Sequence, residues 1–118
     1  MSKRKPEVTL RQIADFARQA QAICKDKTLS SLLSAWQTVL AFERAMEILG
    51  EAVKRLPPEL CRKYPALQWN LIAGMRDRLS HGYDEIRHDV LWIPVKNDLP
   101  ALLTTVEQML KDFDGTPK

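Results

Sequence analysis

The sequence contains few of the residues that define several protein classes. Its two cysteines, Cys24 and Cys61, have no C-x-x-C spacing and belong to no cluster with histidine. Disulfide frameworks and structural zinc sites need such closely spaced ligands. We therefore expect no disulfide and no metal site, and we predict that the protein uses no cofactor.

Long apolar runs and alternating segments are absent as well. No run of about eighteen apolar residues occurs, and residues 1–5 (MSKRK) are basic without the apolar segment that follows in a signal peptide. No segment alternates apolar and polar residues over a useful length, which disfavours β-strands. The expectation is a soluble, cytoplasmic protein with no membrane attachment.

Charge of one sign is also limited. The net charge is only +3, too small to indicate a polybasic nucleic-acid coat, and 45% of the residues are hydrophobic, too many for a disordered chain. A length of 118 residues supplies one sizeable core. We predict a single domain over residues 1–118, with residues 1–8 and 114–118 as flexible tails.

What the sequence does contain is helical periodicity, with apolar residues at intervals of three and four. A first helix is predicted to begin at Thr9, because Thr9 and Gln12 have the spacing of a capping box. A second apolar stripe runs through residues 28–56, includes Trp36 and Leu40, and has a first turn that can separate from the rest. Its methionine and aromatic residues are interpreted as core.

Prolines divide the remaining pattern. Pro57 and Pro58 are expected to end the second helix, and a short helical turn precedes a third helix over residues 66–80. Pro94 is expected to kink or end a short helix, and Asp98 to cap a last helix that tolerates Pro100 in its first turn. The predicted fold class is all-α, an up-and-down helical bundle of four to five helices.

Residues 76–83 (RDRLSHGY) contain the most reactive combination of side chains. Arg76 can bind a phosphate in bidentate geometry, and His81 can transfer a proton near neutral pH. On a regular helix, five residues correspond to about 500° of rotation, so these two side chains would lie about 140° apart. They converge on one phosphate only if the helix unwinds near Ser80, or if a second copy of the chain completes the site.

A second copy also answers a chemical requirement. Cleavage of RNA by its own 2′-hydroxyl needs one group to accept a proton and another to donate one. A twofold dimer would bring two His81 and two Arg76 side chains to one cleft without a metal. A structural interpretation remains open beside this one, with Arg76 paired to an acid such as Glu85, His81 at the negative end of a helix and Tyr83 packed on the bundle.

The motif Arg76-x4-His81-x-Tyr83 resembles the signature of HEPN-domain proteins of the HepT type, the toxin halves of two-gene toxin–antitoxin pairs. Other segments are similar in the same order: residues 48–57 (ILGEAVKRLP), residues 74–77 (GMRD), and Trp92 with residues 97–100 (NDLP). The chain departs from the family at residues 93–95 (IPV), where an unbroken helical stretch is expected.

The resemblance implies an all-helical homodimer whose paired motifs cleave RNA, with Arg76 and His81 as the catalytic residues. It also implies a type II toxin–antitoxin system, in which a cognate MNT-type nucleotidyltransferase antitoxin transfers AMP from ATP to Tyr83. An AMP group adds bulk and negative charge where an RNA phosphate binds, so it would repel the substrate. Asp77 and Ser80 are assigned supporting positions.

Three alternatives stay open at this point. Arg78 is interpreted as a surface residue or as a second RNA phosphate contact. In a second alternative, the whole chain is a non-catalytic helical module that binds a nucleotidyltransferase and presents Tyr83 or a nucleic acid to it. In another it is a plain dimeric scaffold with an incidental motif.

Overall fold

The computed structural model describes residues 5–80 and 88–115. All regular secondary structure in these ranges is helical, which confirms the all-α class. None of the helices in these ranges combines the length and the apolar character needed to cross a membrane. The helices are α1 (Pro6–Cys24), α2 (Leu29–Leu33), α3 (Trp36–Lys54), α4 (Pro58–Cys61), α5 (Trp69–Ser80) and α6 (His88–Gly115).

The first helix begins at Pro6, nearly one turn before the predicted start, so the predicted cap at Thr9 is wrong. Pro6 occupies the first helical position, where its fixed φ suits a helix and its missing N–H costs nothing. Glu7 adds a favourable negative charge to the first turn. Thr9 is instead a core residue, only 2% exposed. The predicted apolar stripe is otherwise confirmed, and Leu10 and Ile13 are fully buried on it.

The predicted second helix is divided into α2 and α3, which confirms that its first turn separates. Thr28 and Ser31 form a reciprocal capping box: the Thr28 hydroxyl accepts from the Ser31 N–H at 3.1 Å, and the Ser31 hydroxyl accepts from the Thr28 N–H at 3.0 Å. Ala35 is extended and interrupts the helical hydrogen bonds before α3 begins. Gly50 is buried within α3 and does not break the helix.

The core assignment of Trp36 and Leu40 is wrong. Trp36 is 69% exposed and Leu40 is 55% exposed, whereas Phe42 is fully buried. Leu40 precedes Phe42 by two residues, which is about 200° of helix rotation, so the two side chains point to opposite faces of α3. The sequence pattern joined two stripes that share one helix but not one face.

The last helix is continuous where two helices were predicted. α6 runs from His88 through Pro94 and Pro100 to Gly115, so Asp98 is not a helix cap. Each proline removes one backbone donor. Burial of Leu99 and Leu102 against the bundle offsets that loss, because both side chains are fully buried.

The long helices pack as neighbours around one core. α1 contacts both α3 and α6, and α3 also contacts α5. Arg55, just after α3, donates to the Gln12 side chain in the first half of α1 at 3.5 Å, so α1 and α3 run in opposite directions. The core between the helices includes Leu10, Ile13, Phe42, Met46, Leu49, Leu102 and Met109, all fully buried.

Candidate active site and its surroundings

The final turns of α5 carry the first half of the predicted catalytic motif. Arg76, Asp77, Arg78 and Ser80 are all helical, so the helix does not unwind before Ser80. His81 and Tyr83 lie outside the described residues. The geometry between Arg76 and His81 therefore stays a prediction.

The helix register relates Arg76 to the other supporting residues. Arg76 and Ser80 are four residues apart on an uninterrupted helix and share one face, about 40° apart. Arg78 is two residues from each, about 200° of rotation away, and lies on a different face of α5. Arg76 and Ser80 thus occupy neighbouring positions on α5. Arg78, the predicted second phosphate contact, is separated from them.

The rotation of α5 about its axis is set by its packing against α3. Ile72 is only 2% exposed and belongs to the core, while Leu71 beside it is 49% exposed. The beginning of α5 lies next to the end of α3, since Trp69 and Ala73 line the same cavity as Val53 and Lys54. The two helices therefore run in opposite directions, and α5 carries Arg76 about 10.5 Å along its axis from Trp69.

A cavity of about 840 Å³ opens between the end of α3, α4 and the beginning of α5. Helical periodicity does not predict this cavity, because its walls come from segments whose apolar and polar residues follow ordinary helix and turn patterns. The one available signal was the pair of prolines at 57 and 58, which forces the chain to leave α3 and return. Only the packing shows that this turn leaves an open space.

The wall of the cavity is held by a chain of hydrogen bonds. The Trp69 indole N–H donates to the Tyr64 carbonyl at 3.0 Å, and the Tyr64 hydroxyl donates to the Asp112 carboxylate. Gln108 donates to the other oxygen of Asp112 at 2.9 Å. These contacts connect the segment before α5 to the last turns of α6.

The same contacts shift two pKa values in opposite directions. The hydrogen bond to Asp112, followed by burial, raises the pKa of Tyr64 to about 12. Hydrogen bonds from Tyr64 and Gln108 lower the pKa of Asp112. The Tyr64 contribution to stability is present below its unfolded pKa of about 10 and is lost as pH rises through 12. The Asp112 contribution is present above its unfolded pKa and is lost as pH falls through the lowered value.

We expect Asp112→Asn to lower the pKa of Tyr64 from about 12 toward the ordinary value of about 10. The substitution removes the negative charge and the stronger acceptor that hold the phenol in its protonated form. The measurement is tyrosinate absorbance against pH in a Tyr83→Phe background, where Tyr64 is the only tyrosine left. Glu107→Gln, which neutralises another carboxylate of α6, should leave the pKa of Tyr64 near 12; an equal shift in both variants would contradict the assigned cause.

Cys61 also lines the cavity, and its environment disfavours nucleophilic chemistry. Burial, and then the nearby Glu59 carboxylate, raises the pKa of the Cys61 thiol. The thiolate is the nucleophilic form of cysteine, so a raised pKa leaves Cys61 unreactive near neutral pH. Cys61 and Cys24 are both free thiols, and Cys24 is buried in the core.

Comparison with known proteins identifies the family. The family described as Ribonuclease HepT-like matches residues 4–109, which is most of the chain. A Methanocaldococcus jannaschii protein designated a candidate RNase is 34% identical over 106 residues, covering 90% of this chain and 82% of the relative. A Thermococcus cleftensis protein designated a probable ribonuclease HepT is 34% identical over 109 residues, covering 92% of this chain and 99% of the relative. No solved structure matches the chain. These similarities and the all-helical fold place the chain in the HepT-like ribonuclease family.

Proposed function

We propose that the protein is a metal-independent endoribonuclease and the toxin of a type II toxin–antitoxin system in the cytoplasm. Membership of the HepT-like ribonuclease family supports the activity. The observation that carries the assignment to this site is the unbroken helix through Ser80, which holds Arg76 and Ser80 on one face immediately before His81. RNA is the substrate.

In the proposed reaction, one imidazole accepts the proton of an RNA 2′-hydroxyl. The 2′-oxygen then attacks the adjacent phosphorus, and the bond from phosphorus to the 5′-oxygen breaks. A second imidazole donates a proton to the departing 5′-oxygen, so the products are a 2′,3′-cyclic phosphate and a 5′-hydroxyl. The Arg76 guanidinium stabilises the negative charge that accumulates on the phosphorane oxygens.

A homodimer supplies the second imidazole. α5 is helical through Ser80, so no unwinding before that residue brings Arg76 and His81 together within one chain. This favours completion of the site by a second copy. A twofold axis near the end of α5 places His81 of each copy opposite the other, which gives one general base and one general acid. Ser80 and Asp77 support the site, with Asp77 orienting Arg76 or His81, and Arg78 is assigned to RNA binding.

The same site is the proposed point of regulation. A cognate MNT-type nucleotidyltransferase transfers AMP from ATP to the Tyr83 hydroxyl, releasing pyrophosphate. The added phosphate places negative charge beside Arg76, where it competes with the phosphate of RNA. Tyr83 follows His81 by two residues, so the modification lies within the catalytic motif.

Coexpression with the neighbouring nucleotidyltransferase gene tests this regulation. Mass spectrometry should show the peptide containing Tyr83 heavier by one or more AMP units, and the modified protein should cleave RNA more slowly than protein expressed alone. Tyr64, the other tyrosine, is the internal control and should remain unmodified because its hydroxyl is engaged by Asp112. AMP on Tyr64 rather than Tyr83 would contradict the proposal.

Cleavage itself is tested with the protein purified without that partner and shown by mass to be unmodified. We expect it to cleave RNA in the presence of EDTA and to leave 2′,3′-cyclic phosphate ends. Products with 3′-hydroxyl ends, or activity that disappears with EDTA, would contradict the proposed chemistry.

A further inference from the structure

The cavity beside α5 has the size and position of a binding site that the catalytic motif does not use. Its volume of about 840 Å³ lies within the range of about 300–1,000 Å³ found for small-molecule and cofactor sites. It lies between the end of α3, α4 and the beginning of α5. α5 is also the helix that carries Arg76, so the cavity and the catalytic motif share one rigid element.

The charges around the cavity favour an anionic occupant. Lys54 and Arg62 contribute two cations, Gln68 and Asn70 contribute two amides, and no aspartate or glutamate is among the residues that line it. Arg62 is exposed and forms no ion pair with a carboxylate in the described part of the chain. A phosphate at the mouth of the cavity would therefore meet the Arg62 guanidinium; the Glu59 carboxylate, near Cys61, is not itself among the lining residues.

The wall of the cavity favours a flat, partly apolar group. The Trp69 side chain is half-buried, and the hydrogen bond from its indole N–H to the Tyr64 carbonyl at 3.0 Å restrains the ring. An aromatic ring that lines the same cavity as two cations suits a single-stranded nucleic acid, with the base stacked on the ring and the phosphate paired to a cation. An acidic peptide would use the cations but would have no need of the aromatic ring.

The register of α5 connects the cavity to the catalytic motif. Trp69, Ala73, Arg76 and Ser80 follow one another at intervals of four, three and four residues and lie along one side of the helix. Trp69 and Ala73 line the cavity, and Arg76 lies about 10.5 Å from Trp69 along the axis. A short stretch of single-stranded RNA spans that distance.

We propose that the cavity between α3, α4 and α5 is a subsite for a nucleotide that flanks the cleaved phosphodiester of single-stranded RNA. The base stacks against Trp69, and Arg62 and Lys54 bind the adjacent phosphate. This subsite rests on the proposed ribonuclease function and deepens it, because it makes the enzyme select extended single strands rather than isolated phosphodiesters.

The test compares Arg62→Gln with Lys63→Gln in the full-length protein. Both positions are exposed cations and are adjacent in sequence, but only Arg62 lines the cavity. The probe is fluorescently labelled 2′-O-methyl RNA, which lacks the attacking hydroxyl and is not cleaved, in lengths of about twelve and about four nucleotides. Fluorescence anisotropy gives the dissociation constant at several salt concentrations.

We expect Arg62→Gln to weaken binding of the longer RNA roughly fivefold or more and to reduce the salt slope by about 0.7, the value for one phosphate contact on a single strand. The shorter RNA is also long enough to join the cavity to the catalytic motif, so Arg62→Gln should weaken its binding as well. Lys63→Gln should change binding of either RNA less than twofold.

Equal effects of Arg62→Gln and Lys63→Gln on the longer RNA would overturn the proposal, because charge alone would then explain the binding. A loss of binding to a coexpressed protein partner in Arg62→Gln, with RNA binding unchanged, would also overturn it and identify the cavity as a protein-docking site. If the unaltered protein cleaves no RNA but its RNA binding depends on Arg62, the subsite is supported and the proposed ribonuclease function is contradicted.

Discussion

Replacing His81 with alanine lowers the rate of RNA cleavage in EDTA by about 10²- to 10⁴-fold, the range that general acid–base catalysis contributes. In the proposed dimer the substitution removes both proton-transfer groups from the cleft at once, so the loss should lie toward the upper end. Cleavage of a fluorogenic RNA by unmodified protein measures the rate.

The chain offers a matched control for this variant. His88 is the only other histidine, and it begins α6. We expect His88→Ala to retain cleavage within a few-fold, and the circular dichroism of both variants to match that of the unaltered protein. Equal activity in His81→Ala and the unaltered protein would remove His81 from the mechanism. Equal loss in His81→Ala and His88→Ala would indicate that the second histidine also takes part.

Replacing Phe42 with alanine should lower the free energy of unfolding by about 3–5 kcal/mol. Phe42 is fully buried in the core, and its removal leaves a cavity that the surrounding helices fill only in part. A domain of ordinary stability has about 5–15 kcal/mol in total, so this single change removes a large share of it. Urea denaturation followed by circular dichroism measures the loss.

Trp36→Ala is the matched comparison, because Trp36 is also an aromatic residue of α3 but is 69% exposed. Its expected cost is within about 0.5 kcal/mol, as for surface substitutions away from special contacts. Measurement at two protein concentrations separates folding from association. A loss equal to that of Phe42→Ala, independent of concentration, would contradict the assignment of Trp36 to the outer face of the bundle.

The helix boundaries show which sequence signals are reliable on their own. Pro57 and Pro58 are steric constraints on the backbone, so the end of α3 and the short helix that follows were predicted correctly. Thr9 looked equally clear as a cap, but Pro6 provides a competing start that extends α1 by three residues. A side-chain cap contributes only about 1 kcal/mol, and Thr9 is instead a buried residue inside α1.

At Pro94 a strong local signal predicted a helix end that the structure does not have. A proline inside a helical pattern carries a local cost of about 3 kcal/mol, which favoured a break before the last helix. α6 nevertheless continues through it, because the helix is long and its buried residues Leu99, Leu102, Val106 and Met109 pack along the bundle. The helix is therefore unbroken at residues 93–95, where the sequence departs from the family and a break was predicted.

The catalytic assignment depended on a different kind of signal. Arg76, His81 and Tyr83 were selected by their chemistry and spacing within one short segment, and the family likeness supplied their roles. Periodicity placed Arg76 near the end of a helix, and α5 confirms that position. The cavity near Trp69 had no comparable signal, since Arg62, Gln68 and Asn70 are ordinary surface residues in the sequence.

By itself, the sequence determined the helical class, the apolar face of α1 and the family, since these follow from the spacing of residues along the chain. Only the tertiary structure decided that α6 is continuous, that Trp36 lies outside the core and that a cavity opens beside α5. The physical reason is that these three features depend on contacts between distant segments. The energies of these contacts outweigh local helix and turn preferences of about 1–3 kcal/mol. Those preferences are the only energies that a short stretch of sequence determines.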